Sequence, residues 1–251
     1  MAQNNKKKTD DASERLSLIS ASSPFGVTEA YKTLRANLQF VCPHSGCKVI
    51  CYTSSIAHEG KSSSALNSSI TIAETSQRVL FIDADMRASH VAHELGLHRG
   101  PGLADLLASS IDEDTVNRTI QRIKGRDSLD IIVAGKVPPN PSELLNSDRM
   151  HQFLDMCKEK YDYIIIDGTP VGIVSDILVL APHIDGFVIV VRADQTTKYM
   201  LRDTVQAITR VNGKVLGIVL NGVKIKGSSY GRYGKYGKYG YGYGSYGHYG
   251  A

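Results

Sequence analysis

No apolar run in this chain approaches the roughly 18 residues that a membrane-spanning helix needs, so any work at a membrane would require a partner to bring the protein there. No signal-peptide pattern opens the chain, and the four cysteines, Cys42, Cys47, Cys51 and Cys157, are expected as free thiols in a reducing cytoplasm. Cys42 and Cys47 lack the short paired spacing of a zinc ribbon. His90, His93, Glu94 and His98 also fail as a zinc set, because His93 and His98 stand five apart with Gly96 between them, where a zinc-protease helix needs four. Acid is missing from the last stretch, which carries Lys224, Lys226, Arg232, Lys235 and Lys238. With Lys6, Lys7 and Lys8 at the other end, these basic ends suit either plain solvation or an anionic surface. The formal net charge of +4 is too small to point to nucleic acid.

What is present is enough for one ordinary domain with flexible ends: 251 residues, 42% of them hydrophobic. Residues 1–22 are polar and read as a flexible arm. Residues 23–226 read as the domain. Residues 227–251 are almost entirely Tyr and Gly, cannot bury a core, and read as a disordered tail. Within the domain, apolar spacing predicts a helix over Glu29–Phe40, then helices at Lys61–Thr75, Ser147–Lys160 and Thr196–Val211. Between them lie apolar runs at Lys48–Thr53, Arg78–Ile82, Leu129–Val133, Tyr163–Ile166, Phe187–Val191 and Val215–Leu220. Strands apolar at every position are buried on both faces, so the expectation is an α/β fold: a doubly wound, mostly parallel sheet with helices on both faces, of the P-loop NTPase kind. Ligands of such sheets sit beyond the carboxyl ends of the strands.

The residues that follow the strands carry the chemistry. After the first strand comes Ser55-Ile56-Ala57-His58-Glu59-Gly60-Lys61-Ser62-Ser63, which matches the end of the phosphate-loop pattern and has Ser55 where the first glycine belongs. Backbone N–H groups of this loop would hold the phosphates of ATP, Lys61 would reach the β- and γ-phosphates, and the Ser62 hydroxyl would ligate Mg²⁺. The second strand ends Asp83-Ala84-Asp85-Met86-Arg87, where an extended backbone points both carboxylates to one side; one acid suits proton acceptance and the other suits a metal. Arg87 is open to pairing with phosphate or with Asp85. Another apolar strand ends Asp167-Gly168-Thr169-Pro170, the arrangement in which an acid orients Mg²⁺ or its water. Lys61, Asp83, Asp85 and Asp167 form the candidate catalytic set, and Ser62, Asp85 and Asp167 the candidate metal set.

Taken in order, the loop ending Gly60-Lys61-Ser62, the doublet Asp83 and Asp85 with Arg87, and the strand ending at Asp167 resemble the bacterial tyrosine kinases, in particular the cytoplasmic kinases of Gram-positive capsule and exopolysaccharide synthesis. The stretches Gly102–Leu107 and Pro138–Leu145 and the terminal tyrosine cluster belong to the same resemblance, which covers roughly residues 23–251. It implies an ATP- and Mg²⁺-dependent protein-tyrosine kinase in which Asp83 assists deprotonation of the tyrosine hydroxyl. It also implies a separate transmembrane activator, recruitment to the inner face of the membrane, other protein-tyrosine substrates, and a ring-like homo-oligomer. Glu29, Lys32 and Arg35 stand at the family's subunit-contact motif, but Lys32 replaces an arginine and lacks its planar fork. Gly168 likewise replaces the usual small hydroxyl or proline.

The tail tyrosines Tyr230, Tyr233, Tyr236, Tyr239, Tyr241, Tyr243, Tyr246 and Tyr249 are then the expected autophosphorylation sites, used mainly in trans. A Gly-rich chain of about 25 residues spans roughly 25–30 Å, enough to reach a neighbouring subunit. Each phosphate adds about −1.5 to −2 charges, so a heavily modified tail is expected to loosen the assembly. Two alternatives stay open: a partitioning-type ATPase, which carries an extra early lysine that this loop lacks, and a non-catalytic adaptor.

Overall fold

Strands apolar at every position need cover on both faces. In the computed structural model, which describes residues 16–223, they receive it. β1 (Lys48–Ser54), β2 (Val79–Asp83), β4 (Leu129–Ile132), β5 (Tyr163–Asp167), β6 (Gly186–Arg192) and β7 (Val215–Asn221) run parallel, and the two-residue β3 (Gln121–Arg122) adds antiparallel to β4. The order across the sheet is β3-β4-β2-β5-β1-β6-β7, with β5 central and β1 beside it.

Successive residues of each strand feed opposite cores. Ile50 and Tyr52 of β1, Phe81 of β2, Ile165 of β5 and Val190 of β6 meet Leu38 of α1 (Phe25–Val41) and Leu66 and Ile70 of α2 (Lys61–Ala73). Val91 of the short α3 (Val91–Glu94) joins that side. Val49, Cys51, Ile82, Ile164, Ile166 and Ile189 face the other way. There they pack with Leu103 and Leu107 of α4 (Leu103–Leu107), Val116 of α5 (Glu113–Thr119), Leu145 of α6 (Pro141–Leu145), Phe153 of α7 (Asp148–Lys158) and Ile208 of α8 (Lys198–Arg210). Each such side chain taken from water stabilises the fold by about 1.5–3 kcal/mol before entropy is charged.

The differences from expectation have local causes. The first helix begins at Phe25 rather than Glu29, directly after Pro24, whose φ of −56° is already set for it. A 3₁₀ helix at Asp176–His183 was not expected; its apolar run, interrupted by Pro182, carries no helical periodicity. Residues 16–20, expected as part of a flexible arm, are tied to α2. Ile19 is buried, its N–H donates to Asn67 Oδ1 at 2.8 Å, and Asn67 Nδ2 donates to the Ser17 carbonyl at 2.7 Å. Among the described residues, no helix is long and apolar enough to cross a membrane. The tail tyrosines and residues 1–15 lie outside the described residues.

Candidate nucleotide site

The carboxyl ends of β1, β2 and β5 place the site. Asp83 and Asp167 are register partners across β2 and β5, and Tyr52 of β1 pairs with Asp167 from the other side. α2 begins directly after the loop, at Lys61, with no side chain capping its first turn. That leaves its N–H groups and the positive end of its dipole free for an anion. Gly60 makes the entry possible. Its φ is +86°, where a side chain is strained, and a Cβ there would stand 2.0 Å from Asn221 Nδ2, forcing that side chain off the Glu59 carbonyl.

Ser55 tolerates the first-glycine position because its backbone is not in the left-handed region; His58 is the non-glycine loop residue that is, at φ 64°. The buried Ser55 hydroxyl accepts a hydrogen bond from Thr204 of α8 at 2.9 Å. Glu59 holds the loop's shape. Its Oε2 accepts from the N–H groups of Ser55 and Ile56 at 2.7 and 2.9 Å, and its Oε1 accepts from the Thr196 hydroxyl. Glu59 is fully buried, and its backbone carbonyl accepts from Asn221 Nδ2 at 3.0 Å. Arg192 adds a bond to the His58 carbonyl at 3.0 Å. So Ser55, Ile56, Glu59 and Gly60 shape the loop, and Lys61, Ser62 and Ser63 open the helix behind it.

Lys61 gathers the predicted carboxylates. Its Nζ, almost wholly buried, donates to Asp167 Oδ1 at 2.6 Å, lies 3.7 Å from Asp85 Oδ2 and stands 3.3 Å from the Ser62 hydroxyl. Burial works against the ammonium charge, but Asp167, Asp85 and Asp83 outweigh it and raise the Lys61 pKa. Burial also pushes Asp167 up against the opposing pull of Lys61. Asp83 is held by other partners. It is fully buried, its Oδ1 accepts from the Asp85 N–H at 3.2 Å, and its Oδ2 accepts from the half-buried Ser89 hydroxyl. Burial, and then the neighbouring Asp167 charge, push the Asp83 pKa up to about 7. The two acids of the doublet therefore differ: Asp85 Oδ2 faces Lys61, while both oxygens of Asp83 accept hydrogen bonds, from the Asp85 N–H and the Ser89 hydroxyl.

The residues fit Mg²⁺ with ATP. Asp167 Oδ2 is a buried carboxylate oxygen with no hydrogen-bond partner, beside the Ser62 hydroxyl. No cluster of three His, Cys, Asp or Glu that could hold a metal occurs among the described residues. A phosphate-loop cation needs none, since a serine hydroxyl, one or two carboxylates and the phosphates supply its oxygens.

Two of the sequence departures have structural counterparts. A Cβ on Gly168 would meet Ile177 Cγ1 at 2.5 Å and Cys51 Sγ at 3.1 Å, so Gly168 is matched to Ile177 of the 3₁₀ helix. Lys32 pairs with Glu29 along one face of α1 at 2.9 Å, with both side chains half-exposed. Arg35, by contrast, donates to the Thr71 carbonyl of α2 at 2.6 Å, within its own subunit. Arg87 pairs with Asp176 rather than with Asp85. Sequence reading missed Asp176, Thr196, Thr204 and Asn221, all distant in the chain. The acid at Glu59, inside a loop meant for anions, was the one signal that a brace existed.

A parallel sheet with a glycine-entered phosphate loop, a buried lysine and strand-end carboxylates defines a P-loop nucleotide-binding domain. Comparison with known proteins narrows the class. The family model for the AAA domain matches residues 47–217. The tyrosine-protein kinase YwqD of Bacillus subtilis is 32% identical over 205 residues, covering 81% of this chain and 85% of that protein. The putative tyrosine-protein kinase EpsB of Ralstonia solanacearum is 36% identical over 213 residues, covering 81% of this chain. This chain spans 28% of the length of EpsB. The solved kinase domain of the Escherichia coli tyrosine kinase ETK superposes with a TM-score of 0.73 at 30% identity, covering 88% of this chain and 80% of that one. The chain belongs to the AAA domain family and, within it, to the bacterial tyrosine kinases.

Proposed function

We propose that this domain binds ATP with Mg²⁺ and transfers the γ-phosphoryl group to tyrosine hydroxyls, its own tail tyrosines among them. The observation that carries this reading is Lys61 held between Asp167 and Asp85 beyond the strand ends, with the buried Asp83, its pKa raised to about 7, close enough to act on Lys61. In this reading Lys61 would reach the β- and γ-phosphates, and the N–H groups at the start of α2, which no side chain caps, would receive them. Ser62, Asp85 and Asp167 would hold Mg²⁺, which when bound neutralises charge on the phosphates. Asp85 and Asp167 keep Lys61 charged. Asp83 accepts the proton that the attacking tyrosine oxygen releases, as ADP leaves.

The wider reading follows the resemblance. A separate transmembrane protein activates the kinase and recruits it to the inner face of the membrane. Copies assemble through Glu29, Lys32 and Arg35, tails are modified mainly in trans, other proteins are also phosphorylated on tyrosine, and the output is control of capsule or exopolysaccharide synthesis.

The test is mass spectrometry of the full chain incubated with ATP and Mg²⁺, alone and with an activating fragment, beside Lys61→Met. Phosphotyrosine on Tyr230–Tyr249 that vanishes in Lys61→Met is the expected result. ATP hydrolysis without phosphotyrosine would turn the reading to a partitioning-type ATPase, and neither activity would turn it to an adaptor.

A further inference from the structure

The turn that carries Asp85 is tied down at several points. The Ala84 N–H donates to the Asp167 carbonyl at 2.9 Å, the Asp85 N–H to Asp83 Oδ1 at 3.2 Å, and the Ala88 N–H to Asp85 Oδ1 at 3.2 Å. One Asp85 oxygen is thus used inside the turn while the other faces Lys61 at 3.7 Å. Met86 is buried beneath it. Arg87 adds a tie of another kind. Its guanidinium grips both oxygens of Asp176, through Nε to Oδ2 and through Nη2 to Oδ1 at 3.0 Å, across 89 residues of chain. A two-pronged Arg–carboxylate pair fixes direction as well as distance. Asp176 is buried, whereas the Arg87 side chain is about half exposed. The foot of this strut adjoins the site, because the next residue, the buried Ile177, packs on Gly168 beside Asp167.

We propose that Asp176 is a positioning residue for phosphoryl transfer. Through Arg87 it locks the turn at 84–89 so that Asp85 stays opposite Lys61 and in fixed relation to Asp167. The inference rests on the tyrosine-kinase reading for its reaction. Its geometry rests on the strut alone. Misplacing one carboxylate by an ångström in a phosphoryl-transfer site lowers turnover more than nucleotide binding, because the loop N–H groups and Lys61 that would hold the phosphates lie outside this turn and Lys61 keeps its 2.6 Å bond to Asp167.

The experiment compares full-length wild type with Asp176→Asn, Asp176→Glu, Arg87→Ala and the double variant Arg87→Ala with Asp176→Asn. Readouts are kcat and KM for tail phosphorylation, the rate of ATP hydrolysis, ATP affinity by calorimetry, and melting temperature. Asp176→Asn keeps the shape but removes the charge and one of the two oxygens that Arg87 grips, so it is expected to lower kcat about tenfold while ATP affinity stays within about twofold. Asp176→Glu restores part of kcat, and the double variant is no slower than Arg87→Ala, since both changes break one tie. Wild-type kcat in Asp176→Asn overturns the proposal. So do multiplicative losses in the double variant, or a parallel fall of kcat, ATP affinity and melting temperature. If the wild type hydrolyses ATP but makes no phosphotyrosine, the kinase reading fails, and the same pattern in the hydrolysis rates still decides the strut.

Discussion

Glu59 offers the sharpest test of how the phosphate loop is built. It is a fully buried acid with no cation against it among its hydrogen-bond partners; what it has instead are the N–H groups of Ser55 and Ile56 at 2.7 and 2.9 Å and the Thr196 hydroxyl. Glu59→Ala removes the acceptor from both N–H groups, and Ser55 is only 2% exposed, so water replaces it poorly. An unsatisfied buried donor costs about 1–3 kcal/mol, which puts the loss near 3 kcal/mol for the pair. Glu59→Gln keeps an oxygen for the two N–H groups and turns its NH₂ toward the Thr196 oxygen, so its loss should be near 1 kcal/mol, the difference between a charged and a neutral acceptor. The chain has no tryptophan, so unfolding in urea is best followed by far-ultraviolet circular dichroism. ATP affinity measured in parallel should fall in Glu59→Ala, because a loop without its brace must be ordered by the nucleotide. Glu59→Ala as stable as wild type, or Glu59→Gln as damaging as Glu59→Ala, would refute the claim that this side chain acts as an acceptor for the loop.

Three further outcomes follow from the packing and charge of the site. Lys61→Met leaves Asp167, Asp85 and Asp83 without their cation and should cost about 3–5 kcal/mol in urea unfolding without nucleotide. The loss should be larger at pH 8 than at pH 5, because Asp83 and Asp167, both raised, take up a proton in the folded state as pH falls; equal losses would count against the three-acid arrangement. Gly168→Ala should cost about 1–3 kcal/mol by overpacking against Ile177 and Cys51, and adding Ile177→Ala should recover part of the Gly168→Ala effect in a double-mutant cycle. His183 stacks on His151 at 3.6 Å between ring centroids, and burial, followed by the charges of His151 and Lys158, lowers its pKa against the opposing pull of Asp155. The unfolded chain takes up a proton near pH 6.5 that the folded His183 resists, so stability falls as pH drops below that point. In His183→Gln the melting temperature should fall less between pH 7.5 and pH 5.5 than in wild type.

Strand order could not be read from the chain, but the strands themselves could, because Ile164–Ile166 or Val188–Val191 must be buried on both faces wherever they are placed. The donors of the site were equally legible: Lys61, Asp83, Asp85 and Asp167 are local to strand ends and a helix start. Their supports were not. The Ser55 hydroxyl is satisfied by Thr204 from 149 residues away, Gly168 is required because Ile177 sits over it, and Arg87 is directed by Asp176. In each pair one member reads as a departure from a pattern or an open question, and the other reads as nothing at all, since an aspartate at the start of an apolar run or a threonine in a helix has many ordinary uses. The compensation is a tertiary contact, and periodicity carries no information about tertiary contacts. Lys32 depends on tertiary and quaternary contacts in the same way. A lost fork on an exposed helix face matters for assembly only if a neighbouring subunit presents a planar acid to it. Within this subunit Lys32 meets Glu29, while Arg35 spends a donor on Thr71 of α2. If the expected ring forms through this helix, Arg35 therefore contributes its remaining donors from a side chain already anchored, which favours a fixed contact angle over a strong one.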